Sequence, residues 1–488
     1  MRRNLIFILL MLFIAFPLSV FLPSLRAQTE KMVYQQLNGD WGGALEVGGI
    51  RLRLVFHFQC QPGSCTGKLD SVDQGAFGIP MGRIKIKGQT IEVLVPSVMG
   101  RFKGTLSPDG MILKGRWMQA GQSLPLDLRK GLKIKGPKRP QEPKPPFPYV
   151  VEDVRFPGGA DGVTLAGTLT HPKSEGPFPA VVLISGSGPQ NRDEFIMGHK
   201  PFLLIADTLT REGWAVLRYD DRGVGDSTGQ FTNATLDDFV ADTVAAIRYL
   251  QTRPDINSRV MGLIGHSEGA AVAIRAAVAE QAPVSFIVML SGPTVRGSDV
   301  LLLQDERLLK AAGVDEETAR SYRDLIAGII ELVLDKNLTP DARAKAIGEK
   351  LRAYAEKLPE PQRKAMGLDE AGIRRQMNIV QMPWFRRFLT EDPRQLLVKL
   401  TIPLLAIYGE KDLQVPPDQN IPPLIQALEK AGLADYAVLK FKGLNHLLQP
   451  ARTGLPAEYG QIETTIAPEV LEALRVWLRR FLQRPGSS

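Results

Sequence analysis

The amino-acid sequence predicts an α/β chain: a doubly wound, mainly parallel sheet with an inserted helical cap, preceded by a small antiparallel β domain. Three observations lead there. After residue 150, short unbroken apolar runs alternate with helical periodicity, the pattern of parallel strands buried on both faces. Ahead of residue 136, apolar residues recur at every second position, as in strands with one buried face. From 296 to 396 the alternation stops, and Leu, Ala, Glu, Lys and Arg recur at helical spacing with no convincing strand.

The chain has 488 residues, 44% of them apolar, which is more than one ordinary domain needs. Residues 1–27 carry Arg2 and Arg3, an apolar run from Leu5 to Leu22, then Ser24, Leu25, Arg26 and Ala27. That order of charged, apolar and small residues is that of a secretory signal cleaved after Ala27, which implies export to a periplasm or the exterior. An uncleaved membrane anchor is the alternative; with cleavage, no stable membrane insertion is expected. Cys60 and Cys65, the only two cysteines, flank Pro62 and Gly63 and fit a disulfide across a turn in an oxidising compartment. Free thiols are the alternative, and the spacing lacks the second ligand pair of a zinc site.

The formal net charge of +8 raises nucleic acid as a partner. Its distribution argues otherwise: three of the cations lie in the signal and seven between Arg129 and Lys144, in a stretch that reads as solvated linker.

Residues 28–135 form the expected β domain. Ile50, Leu52, Leu54, Phe56 and Phe58 alternate with more polar neighbours; further strands are expected over Ile84–Lys87 and Thr90–Val95, with a hairpin turn at Ser107–Gly110. Residues 136–150, with six prolines, are the expected linker. The α/β core comprises 151–295 and 397–488, interrupted by the cap at 296–396. Its strands are expected at Ala180–Ser185, Ala215–Tyr219, Val260–Gly265, Phe286–Ser291 and Leu404–Tyr408; helices fit Lys200–Glu212, Leu236–Gln251, Ser267–Ala279 and Pro468–Leu482.

The chemistry centres on Gly265-His266-Ser267-Glu268-Gly269, which follows the apolar run Val260–Ile264 and opens a helical segment. Small residues allow a sharp strand-to-helix turn with the serine at its apex, where the amides of the helix N-terminus face developing negative charge. In this setting the motif resembles the nucleophile turn of the α/β-hydrolase superfamily, whose chain order is serine, acid, histidine. Of five histidines only His446 follows the serine, on the loop after the expected strand Tyr436–Phe441, so it is the expected base. Asp412, on the loop after Leu404–Tyr408, is the expected orienting acid, with Glu410 and Asp418 as rivals. The oxyanion hole is expected from two backbone amides: that of Glu268 and that of Ser187, or alternatively Gly186, in Ser185-Gly186-Ser187-Gly188-Pro189.

The motifs Ser185–Asp193, Gly265–Gly269 and Asn445-His446 look like those of a bacterial carboxylesterase group related to the dienelactone-hydrolase and prolyl-oligopeptidase-like branches, in which an extra N-terminal β domain precedes the catalytic one. The segment Asp73–Pro80 resembles a motif of that extra domain. The resemblance implies hydrolysis of short- to medium-chain acyl esters without metal or organic cofactor. A serine aminopeptidase or other amide hydrolase shares the triad chemistry, as do a thioesterase, acyltransferase or lactonase. A non-enzymatic envelope binding protein on the same fold is the remaining alternative.

Three local expectations accompany this reading. Glu268 places a carboxylate beside the oxyanion site and is expected to pair with a basic residue. Arg222 and Asp226 are expected to pair and shape the loop beneath the site. Trp384 and Phe385 of the cap are expected to line the acyl pocket.

Overall fold

The computed structural model describes residues 31–47, 50–74, 76–119 and 122–482; the expected signal, residues 1–27, lies outside them, as does Gly75 of the Asp73–Pro80 motif. The chain divides into two compact units that part between Lys135 and Gly136.

In the first unit a short helix, α1 (residues 31–37), precedes nine strands. These are β1 (Gly39–Val47), β2 (Ile50–Gln61), β3 (Ser64–Ser71), β4 (Ala76–Pro80), β5 (Ile84–Lys87), β6 (Thr90–Val95), β7 (Gly100–Leu106), β8 (Ile112–Gln119) and β9 (Gln122–Lys130). They form one antiparallel sheet in the order β4-β3-β2-β1-β9-β8-β7-β6-β5. Period-two patterning decides which face is buried: in β7, Phe102 and Leu106 point inward while Arg101, Lys103 and Thr105 are exposed. Trp41, Phe56, Phe58, Phe102 and Trp117 meet in the core with Val33 and Leu37 of α1. Cys60 and Cys65 face one another across the β2–β3 hairpin and are disulfide-bonded.

The second unit holds an eight-stranded sheet built from β10 (Val150–Pro157), β11 (Thr164–His171), β12 (Phe178–Ile184), β13 (Ala215–Tyr219), β14 (Ile256–His266), β15 (Phe286–Leu290), β16 (Leu404–Gly409) and β17 (Tyr436–Phe441). Its order is β10-β11-β13-β12-β14-β15-β16-β17. From β13 onward neighbours are parallel; β10 and β11 are an antiparallel pair at one edge that the sequence reading did not anticipate. Helices α2 (Pro201–Arg211) and α13 (Pro468–Leu482) cover one face. On the other pack α3 (Leu236–Gln251), α4 (Glu268–Val278) and α12 (Pro417–Lys430). β14, the strand leading to Ser267, is central, between β12 and β15.

Between β15 and β16 lie the cap helices α5 (Gly297–Ala311), α6 (Glu316–Leu334), α7 (Pro340–Ala355), α8 (Glu360–Ala365), α9 (Glu370–Val380), α10 (Pro383–Thr390) and α11 (Arg394–Leu397). They enclose their own apolar cluster, with Ile329, Val333, Leu351 and Leu389 at its centre. Phe385 is buried in that cluster, which corrects its expected place as a pocket-lining residue.

The proline-rich stretch 136–150 differs from the solvated linker its composition suggested. Arg139 donates to the carbonyls of Met197, Gly198, Gly460 and Ile462, and burial lowers its pKa. Gln141 accepts from the Thr465 amide at 2.6 Å, and Lys200 pairs with Glu142 at 2.5 Å. Prolines cannot form a core, but they do not stop interleaved polar side chains from stitching an extended chain to a surface.

Candidate active site

Ser267 has φ 52° and ψ −123°, a region that side-chain-bearing residues rarely enter, at a cost of about 1–3 kcal/mol. Its amide is held by Leu290 O at 2.8 Å, at the end of the β14–β15 ladder. The flanking glycines permit the turn. A Cβ on Gly265 would collide with the Gly269 and Ala270 backbone, and one on Gly269 with the Ile184 and Ser185 carbonyls. The serine therefore sits where β14 ends and α4 begins.

Two further strand ends bring the other expected residues together. Asp412, 2% exposed, follows β16, and His446, 4% exposed, follows β17; His446 Nδ1 lies 2.8 Å from Asp412 Oδ2. The other Asp412 oxygen accepts from the Gln414 and Val415 amides at 2.9 and 2.8 Å, which fixes the carboxylate. Asn445, fully buried, receives the Leu447 and Gln449 amides and shapes the histidine loop. The rival acids are engaged elsewhere: Glu410 accepts from the Gly443 amide and Asp418 from Arg307. With Nδ1 committed to Asp412, His446 Nε2 is the ring atom left for chemistry.

The loop after β12 lies beside the serine: a Cβ on Gly186 would stand 3.2 Å from Ser267 Cβ. The structure separates the two candidate donors in this loop. The Gly186 amide donates to Glu194 Oε1 at 2.7 Å and is thereby spent, which corrects its assignment to the oxyanion hole. The Ser187 amide has no partner among the described residues. The Glu268 amide is in the first turn of α4, where no helical carbonyl can reach it. These two amides form the candidate oxyanion hole.

Glu194 was not singled out in the sequence. It is 3% exposed, has φ 49°, and places Oε1 2.8 Å from His266 Nδ1. His266 Nε2 in turn lies 3.2 Å from the His446 carbonyl. Burial alone would lower the His266 pKa, but Glu194 and the His446 carbonyl outweigh it and raise it. One carboxylate thus joins the oxyanion loop, the nucleophile turn and the histidine loop. The signal available was a Glu six residues beyond a glycine-rich loop, which by itself says nothing of its partner.

Two other buried carboxyls lie near the serine. Burial pushes Glu268 up to about 7, against the Trp384 indole, which donates to both its oxygens at 2.9 Å. The expected basic partner of Glu268 is therefore replaced by an aromatic N–H from cap helix α10. Burial likewise pushes Asp221 up to about 8, although it accepts from the Gln190 amide and Ser185 Oγ. The expected Arg222–Asp226 pair is also not formed. Arg222 instead pairs with Asp238 and Asp242 of α3, and Asp226 with Arg192, because a turning loop points successive charges in different directions.

A small cleft with room for about one water lies between α4 and the cap, lined by Leu236, Ala271, Pro293, Val295, Phe388 and Pro393, with Glu268 and Glu391 at its wall. Phe388, one helical turn beyond Trp384 and stacked on it with centroids 5.3 Å apart, lines it in place of Phe385. Arg387 pairs with both Asp237 of α3 and Glu391, so α10 is tied to the core beside the cleft. Away from the site, Glu152, His171 and Asp255 converge, but the Arg253 guanidinium already occupies the space between the two carboxylates.

Sheet order, serine turn and loop placement define an α/β-hydrolase. Residues 200–449, just over half of the chain, match the family described as serine aminopeptidase, S33, and the chain belongs to that family. It is 28% identical over 311 residues to an esterase, EstD, of Thermotoga maritima; the match takes in 63% of this chain and 64% of that protein's length. Among solved structures it is similar to an esterase of Pyrococcus furiosus, with TM-score 0.42 and 18% identity over 71% of this chain and 99% of that one. It is also similar to Est1E of Butyrivibrio proteoclasticus, with TM-score 0.38 and 17% identity over 67% of this chain and 97% of that one.

Proposed function

We propose that the protein is a serine carboxylic-ester hydrolase acting on short- to medium-chain acyl esters through Ser267, His446 and Asp412. The observation that carries this reading is the buried His446–Asp412 pair at 2.8 Å, on strand-end loops beside a serine held at positive φ. Ser267 Oγ attacks the ester carbonyl carbon while His446 Nε2 takes its proton. The carbonyl oxygen becomes an oxyanion that accepts from the Ser187 and Glu268 amides. Collapse of the intermediate breaks the bond to the alcohol, which leaves with the proton from His446; water then cleaves the acyl-enzyme by the same steps. Asp412 holds the tautomer and stays ionised.

The apolar lining between α4 and α10, with Phe388 and Pro393 in it, suits the acyl part of an ester, and the ester series below reads its chain length. The likeness to an esterase supports ester over amide, whereas the family description favours a second reading as an aminopeptidase. The sequence of residues 1–27 supports export, periplasmic or extracellular.

The test is turnover of nitrophenyl esters from acetyl to palmitoyl by wild type and Ser267→Ala, with an amino-acid anilide beside them. Ester cleavage that falls by about 10⁶ in the variant supports the proposal. Cleavage of the anilide alone would transfer the site to the peptidase reading, and equal inactivity on both would discard the enzyme reading.

A further inference from the structure

The outward face of the first unit's sheet carries most of the charge that the chain has in excess. On the half of it formed by β5 to β9, Arg83, Lys85, Lys87, Arg101, Lys103, Lys114, Arg116 and Arg129 are all exposed, against two acids, Glu92 and Asp127; on β1 to β3, Arg51, Arg53 and Lys68 are balanced by Asp40, Glu46 and Asp70. Strand register places them in rows across the sheet. One row runs Lys85, Glu92, Lys103, Arg116 from β5 to β8, and the next Lys87, Thr90, Thr105, Lys114, Asp127 from β5 to β9. Among the described residues the one ion pair on this half joins Arg101 to Glu92, whereas on β1 to β3 Arg51 pairs with Glu46 and His57 lies between Asp40 and Asp70.

Part of this has an ordinary explanation. β5 is an edge strand, and lysines there discourage pairing with another chain. That account does not extend to Lys103, Lys114 and Arg116 on the interior strands β7 and β8. Lys103 and Arg116 stand directly opposite one another, an arrangement of like charges that costs stability and that solubility does not require. Apolar side chains are exposed among these cations: Leu94, 40% exposed, beside Arg101, and Met99, 79% exposed, at the β6–β7 turn.

We propose that this face docks on an anionic phospholipid surface. Successive residues in a row are about 4.8 Å apart, and the rows spread over the five strands β5 to β9, a two-dimensional array that fits a plane of headgroups better than a single polyanionic strand. Cations draw the face to the headgroups, and Leu94 and Met99 enter the interface. The apolar run Leu5–Leu22 precedes this unit in the chain and, where retained, supplies the second attachment that stable anchoring takes.

The test is flotation of the full chain with phosphatidylcholine vesicles, with and without 30% phosphatidylglycerol. The apolar run contributes to both, so the difference reads the sheet face. Expected are at least ~10-fold tighter partition on the anionic vesicles at low salt and its loss by about 0.5 M NaCl, where the screening length is only a few ångströms. The triple variant Lys103→Glu, Lys114→Glu, Arg116→Glu loses that difference. A triple of equal charge in the cap, Lys336→Glu, Lys345→Glu, Arg374→Glu, keeps it. A milder pair, Lys103→Gln with Arg116→Gln, guards against misfolding: it relieves the like-charge opposition, so it melts no lower than wild type while binding weakens. Equal binding to both vesicle types, or equal loss in the cap triple, would overturn the proposal. Binding to soluble polyphosphate or heparin without vesicle binding would overturn it too, assigning the face to a free polyanion.

Discussion

Glu194 Oε1 lies 2.8 Å from His266 Nδ1 and accepts the Gly186 amide at the same oxygen. Both His266 nitrogens face acceptors, a carboxylate and the His446 carbonyl, an arrangement that favours the protonated ring and raises its pKa. The pair is a positioning device: it touches the oxyanion, nucleophile and histidine loops, three of the four that carry the proposed chemistry, and none of the reacting atoms.

Glu194→Gln is expected to lower kcat by about 10–100-fold with little change in KM, because loops displaced by a fraction of an ångström lose alignment rather than affinity. His266 binds its proton more tightly folded than unfolded. Its contribution to stability is fully present below pH 6.5, its ordinary value, and is lost as pH rises through the raised one. Melting curves across pH should show this loss in wild type and not in the variant. An unchanged kcat would remove the positioning role.

Glu268 is expected to bend the pH–rate profile. Neutral below about 7, its carboxyl leaves the oxyanion site unopposed; above it, a buried negative charge stands beside the developing oxyanion. Turnover in wild type should therefore fall on the alkaline side, and Glu268→Gln should remove that fall. Trp384→Phe takes away the donor that favours the ionised form and should move the bend to higher pH. Rate profiles of the three proteins from pH 5 to 10 decide this, and superimposable profiles would refute it.

Gly265→Ala is expected to destabilise the second unit by about 1–3 kcal/mol and to abolish ester turnover, since its Cβ meets backbone that cannot give way without moving Ser267. Denaturant melts and initial rates measure both. A stable, active variant would show that the turn has more room than its backbone implies.

His199 is expected to set part of the acid lability. Buried between Thr465 Oγ1 and the Tyr459 carbonyl, it is pushed down to about 4, so it stays neutral in the fold while the unfolded chain takes up a proton below 6.5. Stability should fall as pH drops from 6.5 to about 4, by about 3 kcal/mol in all, and level off below. His199→Gln should flatten that slope in urea melts between pH 4 and 7, whatever it does to stability at pH 8.

The sequence by itself determined the two architectures and pointed to the candidate site. Buried parallel strands must be apolar runs, half-buried strands must alternate, and a serine on a strand-to-helix turn needs small neighbours; all three leave local signatures. The paired His446 and Asp412 were legible because strand ends place their loops at one edge of the sheet. Only the tertiary structure decided the partners of charged and buried polar groups. Glu268 met Trp384 rather than a cation, Arg222 met Asp238 and Asp242 rather than Asp226, and Arg139 tied a proline-rich stretch to distant loops of its own unit. Glu194, which joins loops of the candidate site, had no signature that named its partner. Such partners lie tens to hundreds of residues away in the chain, so they are chosen by packing in three dimensions, where the low dielectric makes an unsatisfied charge costly, and no periodicity records that choice.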